Sequence, residues 1–296
     1  MKINYYHSLI FFNLCIFLSA FEYLRNNNLL IVCLFLILSI GISHGSLDHL
    51  KGKKLIKIFG IKSQYIFYFA YIFVGLITLF TWLIFPRFLL ILFLIIAAYH
   101  FGKEDSEFIT KKKKFEFIYF LKGSLVITSP LLFHKNDTLE IFRFLNFDIS
   151  GSIFINDEIL YLFIILSLLS NIIISSNQNL NSKSLLLMDF LSILILNYFL
   201  SPIIAFTIYF CFLHSVRHSV SLILDINKNL KKGFPIYLKK IIPLTTITAM
   251  AYLFSLFFLN NYYELDESIY RVIFIGLASL TFPHILLEYL IEKNEK

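Results

Sequence analysis

Long apolar runs, separated by short polar loops, follow one another along almost the entire 296-residue chain. A helix that crosses the hydrocarbon core of a bilayer needs about 20 mostly apolar residues. The sequence therefore predicts an all-α, polytopic transmembrane helical bundle of eight to ten helices, forming a single integral-membrane domain over residues 1–296. We place the predicted membrane segments at residues 7–23, 29–47, 65–85, 88–102, 117–134, 158–176, 185–200, 203–222, 241–260 and 270–291.

The composition excludes several classes of protein. Apolar residues make up 58% of the chain and charged residues only 15%, whereas soluble domains average about 25% charged residues. A soluble enzyme, a disordered chain and a disulfide-built secreted module are therefore excluded. Cys15, Cys33 and Cys211 lie inside apolar runs without CxxC spacing, so we expect them to be small buried hydrophobic residues.

The basic residues predict how the helices are oriented. Lysine and arginine in short loops concentrate on the cytoplasmic side of membrane proteins, and the formal net charge here is +7. If the N-terminus is cytoplasmic, most of the 26 basic residues fall in cytoplasmic segments. We therefore expect an even number of crossings and both termini in the cytoplasm. The protein should be a multi-pass component of the cell (inner or plasma) membrane that contacts the lipid bilayer and binds no nucleic acid.

Four short stretches that contain histidine interrupt the apolar pattern. Ionisable residues inside membrane helices are costly and usually face the bundle interior or a cavity. All four stretches lie on even-numbered predicted segments, which cross the membrane in the same direction, so we expect their histidines at similar depth. The stretches are SHGSLDH (43–49), YHFGKED (99–105), HSVRH (214–218) and PHILLE (283–288).

The histidine spacing predicts a metal site. His214 and His218 are four residues apart, so a helix places both rings on one face, where one metal ion can bind both. His44 and His100, from two other segments, could complete the site. Imidazole suits iron, zinc, copper and nickel, so the spacing alone leaves the metal open. We predict no catalytic residue beyond these metal ligands.

Acidic residues recur at a fixed distance from histidines: Asp48, Glu104 and Glu288 each lie four residues after one. A metal-binding histidine usually donates its second ring N–H to a carboxylate or carbonyl, which fixes its tautomer. An acid at this spacing can instead reach the interface and meet nearby lysines, and both interpretations stay open. The residues expected behind the ligands or in a substrate pocket are Asp48, Glu104, Asp105, Arg217, His284 and Glu288.

In their order along the chain, the four stretches resemble the motifs of the Brp/Blh family, the integral-membrane β-carotene 15,15′-dioxygenases of rhodopsin-bearing microbes. That family shows an HGALDH-like element, a WHFG-like element with a following acid, an HSxRH-like pair and a PHxLxxE-like or PHxxLxE-like element near the C-terminus. Ser46 stands where alanine is common, and Tyr99 stands where tryptophan is common. Neither residue is a predicted ligand.

The resemblance implies an Fe²⁺ cofactor held by four histidines. Carried over position by position, these are His44, His100, His214 and His218. It also implies a reaction, the oxidative cleavage of the central double bond of all-trans-β-carotene by O₂. The products are two molecules of all-trans-retinal, and a rhodopsin is the implied partner that receives them.

Three other functions use the same residue types. A polytopic metal or proton transporter could use the histidines and acids as a relay, although its polar residues would be expected along the whole crossing. A membrane di-iron desaturase or hydroxylase would carry repeated HxxxH and HxxHH boxes, whereas this chain has one HxxxH and no HxxHH. A bis-histidine haem cytochrome is a further alternative. A product assay distinguishes the carotenoid-cleaving enzyme from all three.

Overall fold

The computed structural model describes residues 2–21, 24, 29–110, 115–148 and 155–294, and within these residues the chain is helical and contains no strand. The helices are α1 (Lys2–Ser19), α2 (Leu30–Ser39), a 3₁₀ segment (Gly41–Leu47), α3 (Asp48–Ile58), α4 (Tyr65–Ile84), α5 (Pro86–Glu107), α6 (Glu116–Gly123), α7 (Leu125–Phe133), α8 (Lys135–Phe144), α9 (Asp157–Ser175), α10 (Leu180–Phe199), α11 (Pro202–Ile208), a π-helix (Tyr209–Ser215), α12 (Val216–Ile226), α13 (Leu230–Leu259) and α14 (Leu265–Asn294).

Within the described residues, nine helical stretches are long and apolar enough to cross a membrane, which confirms the predicted fold class. They correspond to nine of the ten predicted segments. The first predicted segment, 7–23, overlaps helix α1, which carries Lys2, Asn4 and His7 and is not one of the nine. The cytoplasmic location of both termini stays a prediction. The nine stretches are Leu30–Ile58, Tyr65–Ile84, Pro86–Glu107, Glu116–Phe133, Asp157–Ser175, Leu180–Phe199, Pro202–Ile226, Leu230–Leu259 and Leu265–Asn294.

The chain divides into two compact units. Unit 1 comprises Met1–Leu36 and Leu94–His218, and unit 2 comprises Ile37–Phe93 and Ser219–Lys296. In unit 1, α10 packs against α1, α7 and α9, and α9 packs against α6 and α7. In unit 2, α14 packs against α3, α4 and α13, and α13 packs against the 3₁₀ segment. The single-domain expectation stays a prediction.

Two glycines allow α5 and α6 of unit 1 to meet backbone to backbone. A Cβ atom on Gly102 would overlap the carbonyl oxygen of Tyr119, and one on Gly123 would overlap that of Ala98. Small residues are the usual means by which membrane helices approach this closely. Gly102 lies between His100 and Glu104 on α5, so the crossing positions both side chains.

Gly102→Ala should therefore destabilise the protein, because the added methyl group forces the two backbones apart. Such a forced backbone shift costs about 1–3 kcal/mol or more, so we expect a lower unfolding temperature in detergent. Gly45→Ala is the matched control, since its Cβ would meet only Asp48 Oδ2, at 4.0 Å. Equal unfolding temperatures for the two variants would show that the crossing is not tight.

Candidate metal centre

Three of the four predicted ligands come together in unit 1 around the carboxylate of Glu104. His100 and Glu104 lie on α5, His214 in the π-helix and His218 on α12. Glu104 Oε2 is 3.6 Å from His100 Nε2, 3.4 Å from His214 Nε2 and 3.3 Å from His218 Nδ1. The rings of His100 and His214 are adjacent, with centroids 5.3 Å apart. One carboxylate oxygen and three imidazole nitrogens therefore share a small volume.

These separations fit metal ligands better than hydrogen bonds. An N–H···O hydrogen bond has a donor–acceptor distance of about 2.7–3.2 Å, and all three contacts are longer. Two atoms that each lie about 2.0–2.2 Å from one metal are about 3.0–3.5 Å apart, close to the observed values. Three imidazole nitrogens and one carboxylate oxygen also suit ferrous iron chemically. The residues present therefore fit a divalent transition metal.

The position of the Glu104 carboxylate differs from the one that its spacing in the sequence suggested. The spacing placed it behind His100, as a partner of the ring nitrogen that does not bind metal. In the structure its carboxylate faces the Nε2 atoms of both His100 and His214. Since these rings converge through the same atoms, Glu104 lies on the side that a metal would occupy. The carboxylate is thus a candidate ligand itself.

The second ring nitrogen of His214 is held by Asp105. His214 Nδ1 lies 3.2 Å from Asp105 Oδ1, and the Tyr209 hydroxyl donates to Asp105 Oδ2 at 2.8 Å. An ionised carboxylate only accepts hydrogen bonds, so it favours the tautomer with hydrogen on Nδ1 and a lone pair on Nε2. This is the arrangement that prepares a histidine to bind a metal.

A π-helix explains how Tyr209 and His214 reach one carboxylate. An α-helix has 3.6 residues per turn, whereas a π-helix bonds residues five apart and so brings them about one turn from each other. Tyr209 and His214 are five residues apart and lie in the π-helix Tyr209–Ser215. Single π-helical turns are rare in proteins, and those that occur are often found at functional sites. The sequence spacing had indicated only an α-helix here.

Aromatic rings surround the histidines. The Phe101 ring meets His214 edge-on, with centroids 4.8 Å apart, and the Phe210 ring stacks on it at 5.8 Å. His100 and His214 are buried, and the His218 side chain is 14% exposed. Because water is largely excluded, electrostatic interactions within the cluster are stronger than they would be in water.

Arg217, which lies between the two histidines of the HSVRH stretch, bonds to other helices. Its guanidinium donates to both carboxylate oxygens of Asp189, at 2.8 and 3.0 Å, and to Ser8 Oγ at 2.8 Å. It also lies over the Phe108 ring. These contacts join α12 to α10, to α1 and to the turn that follows α5. Arg217 therefore fixes the segment that carries His214 and His218, rather than contacting a metal.

Two buried basic residues match two buried acids beside the histidines. Asp105, Asp189 and Lys122 line one small cavity, and Arg217 pairs with Asp189. When all four are ionised, their formal charges cancel. Charges in an apolar interior must be compensated in this way, because an isolated ion there is very costly. Lys122 thus supplies a positive charge for which the sequence analysis had assigned no role.

Unit 2 contains a second histidine that is held by a carboxylate. His284 Nδ1 lies 2.7 Å from Asp48 Oδ2, and the Tyr71 hydroxyl donates to the same oxygen at 2.7 Å. His284 Nε2 is 3.8 Å from Glu288 Oε1, which pairs with Lys51 Nζ at 2.6 Å. Asp48 thus contacts the ring of His284, a histidine outside the predicted ligand set, and Glu288 meets a lysine, as the second interpretation of these acids allows. A role for Asp48 behind a metal ligand stays a prediction.

The fourth predicted ligand, His44, lies in the 3₁₀ segment Gly41–Leu47, and its side chain is outside the described residues. The four-histidine set therefore stays a prediction. Sequence reasoning missed Tyr209, Tyr71, Asp189 and Lys122, because no short motif links them to their partners. Tyr209 and Asp105, for example, are 104 residues apart.

Comparisons with known proteins identify relatives. A family model described as β-carotene 15,15′-dioxygenase matches residues 35–292, which include all four histidine stretches. A curated protein named β-carotene 15,15′-dioxygenase, from uncultured marine bacterium 66A03, is 28% identical over 262 residues. These cover 86% of this chain and 90% of that protein. No solved structure matches the chain.

Asp105→Asn should weaken metal binding, because the amide no longer enforces the Nδ1–H tautomer of His214. Residues behind metal ligands contribute about 10- to 100-fold to affinity, so we expect a loss of that size when the purified protein is titrated with Fe²⁺. Asp225→Asn, an exposed change of the same type on α12, should titrate as the wild type. An unchanged affinity in Asp105→Asn would show that Asp105 does not orient a ligand.

Proposed function

Because the chain belongs to the β-carotene 15,15′-dioxygenase family, we propose that it cleaves the central double bond of all-trans-β-carotene with O₂ and releases two molecules of all-trans-retinal. The observation that carries the proposal is the convergence of His100, His214 and His218 on Glu104. The name of the marine bacterial relative supports the same reaction. A rhodopsin would use the retinal as its chromophore.

Ferrous iron would be held by His100, His214 and His218, with the Glu104 carboxylate beside them. His44 is proposed as a further ligand because its motif resembles that of the family. When bound, iron supplies the binding and activation of O₂, which a protein's own side chains cannot provide. The donor set supports this assignment, since imidazole and carboxylate together are typical of non-haem iron oxygenases.

Neighbouring residues of the protein orient the side chains that would bind the metal. Asp105 keeps the hydrogen of His214 on Nδ1, and the Tyr209 hydroxyl holds Asp105 in place. The paired Arg217 and Asp189 fix α12 against α10. A site whose ligands are held in advance requires little rearrangement when it reacts.

The surroundings also suit the substrate. β-Carotene is a hydrocarbon, so it dissolves in the bilayer rather than in water, and a membrane-embedded enzyme can take it directly from lipid. Phe101 and Phe210 cover His214 with apolar rings, and His100 and His214 are buried. Exclusion of water from such a site prevents side reactions of reactive species.

Expression in a β-carotene-producing bacterium tests the proposed function. The orange cells should lose their colour, and chromatography should detect retinal, because central cleavage shortens the conjugated chain. His214→Ala and His218→Ala should each abolish retinal formation and strongly reduce bound iron.

His134→Ala is the matched control, since His134 lies outside the Glu104 cluster and contacts Asp137; it should bleach the cells normally. Orange cells that contain well-expressed wild-type protein would reject the proposed function. Longer apocarotenals in place of retinal would keep carotenoid cleavage and reject the central position. Full iron occupancy in both ligand variants would reject the assigned ligands.

A further inference from the structure

The arrangement that holds His214 in unit 1 is repeated around His284 in unit 2. A tyrosine hydroxyl donates to an aspartate, the aspartate lies at hydrogen-bond distance from Nδ1 of the imidazole, and Nε2 of that imidazole faces a glutamate. In unit 2 these residues are Tyr71, Asp48, His284 and Glu288. The two copies share residue types and the burial of the histidine and aspartate. They differ in one detail, since the tyrosine and histidine meet different oxygens of Asp105 but the same oxygen of Asp48.

The contacts of Asp48 determine which ring nitrogen of His284 carries the hydrogen. Its carboxylate accepts from the Tyr71 hydroxyl, and its Oδ2 atom lies 2.7 Å from His284 Nδ1. An ionised carboxylate cannot donate, so His284 carries its hydrogen on Nδ1 and presents a lone pair at Nε2. A neutral imidazole that is held by a carboxylate in this way is the usual form of a metal ligand.

The carboxylate of Glu288 offers a second metal-binding atom beside that lone pair. His284 and Glu288 are four residues apart on α14, and His284 Nε2 lies 3.8 Å from Glu288 Oε1. Two ligands of one metal are about 3.0–3.5 Å apart, so a small side-chain rotation brings both atoms to binding distance. Pro283 and Leu287 beside them are buried, which keeps this part of the helix fixed.

We propose that His284 Nε2 and Glu288 bind a divalent transition-metal cation, and that Asp48 and Tyr71 are positioning residues for His284. Neither His284 nor Glu288 belongs to the predicted four-histidine set. The inference rests on the proposed function in one respect, since it assumes that the enzyme uses a metal. Its test measures metal binding and requires no catalytic activity.

Lys51 is the group with which the cation must compete. Its ammonium lies 2.6 Å from Glu288 Oε1, the same oxygen that faces His284. The Lys51 side chain is 26% exposed, and a long lysine side chain can move its charge into an aqueous environment. Removing the ammonium while keeping a similar volume, as in Lys51→Met, should therefore increase the affinity for a cation.

The experiment is a titration of the purified full-length protein with Co²⁺, whose visible absorption reports imidazole and carboxylate ligation. His284→Ala should need at least about tenfold more Co²⁺ to reach the wild-type absorbance, or should reach a lower plateau. Tyr71→Phe removes only a hydroxyl group, and it should weaken binding by about 10-fold because it acts behind the ligand. Lys51→Met should bind more tightly than the wild type.

His134→Ala controls for the loss of a histidine elsewhere and should titrate as the wild type. If His284→Ala and Tyr71→Phe also titrate as the wild type, the inference is overturned. A weaker affinity in Lys51→Met would likewise contradict it, because the ammonium would then not compete. If the wild type cleaves β-carotene and His284→Ala binds Co²⁺ as the wild type does, the inference is wrong while the proposed function stands. If the wild type does not cleave β-carotene, the proposed function is wrong, whatever the Co²⁺ titration shows.

Discussion

The contact between Asp105 and His214 is the interaction on which the candidate metal centre depends. It directs Nε2 of His214 toward Glu104, where the rings of His100 and His218 also converge. The contact forms only because a π-helix presents Tyr209 and His214 to the same carboxylate. The π-helical geometry, the tautomer of His214 and the gathering of the metal-binding atoms therefore all meet at one buried carboxylate.

That carboxylate is costly in a membrane, and its surroundings offset the cost. A charged side chain at the centre of a membrane helix costs about 2.5–3.5 kcal/mol on insertion scales. The chain retains Asp105, Asp189, Lys122 and Arg217 in buried positions where apolar residues would fold more easily. Removing one partner of a buried ion pair costs about 3–5 kcal/mol, so these four residues must be kept together. Their presence in the interior is explained if they hold the histidines in place.

Much of the fold could be predicted from the sequence, because the lipid bilayer restricts the segments that can cross it to long apolar helices. A bilayer requires about 20 apolar residues per crossing, and nine predicted segments correspond to the nine candidate spans in the described residues. Helix α1 differs because polar residues such as Asn4 and His7 interrupt its apolar run. The spacing of His214 and His218, together with the similar depth expected for His100, also predicted that these three histidines lie close together, and all three contact Glu104.

The remaining features of the site depend on contacts that no local pattern records. Asp48 and His284 are 236 residues apart, and nothing in either motif links them. The spacing of Glu104 suggested a place behind His100, whereas its carboxylate faces the converging ring nitrogens of three histidines. A π-helical turn cannot be read from hydrophobic periodicity, because its neighbours on both sides are α-helical.

Anomalous scattering at the iron absorption edge, recorded from crystals of the iron-loaded enzyme, tests the central claim most directly. We predict a strong peak in unit 1, about 2.0–2.2 Å from ring nitrogens of His100, His214 and His218, with Asp105 still bonded to His214 Nδ1. A peak remote from these three rings, or rings that turn away from one another toward lipid, would contradict the account.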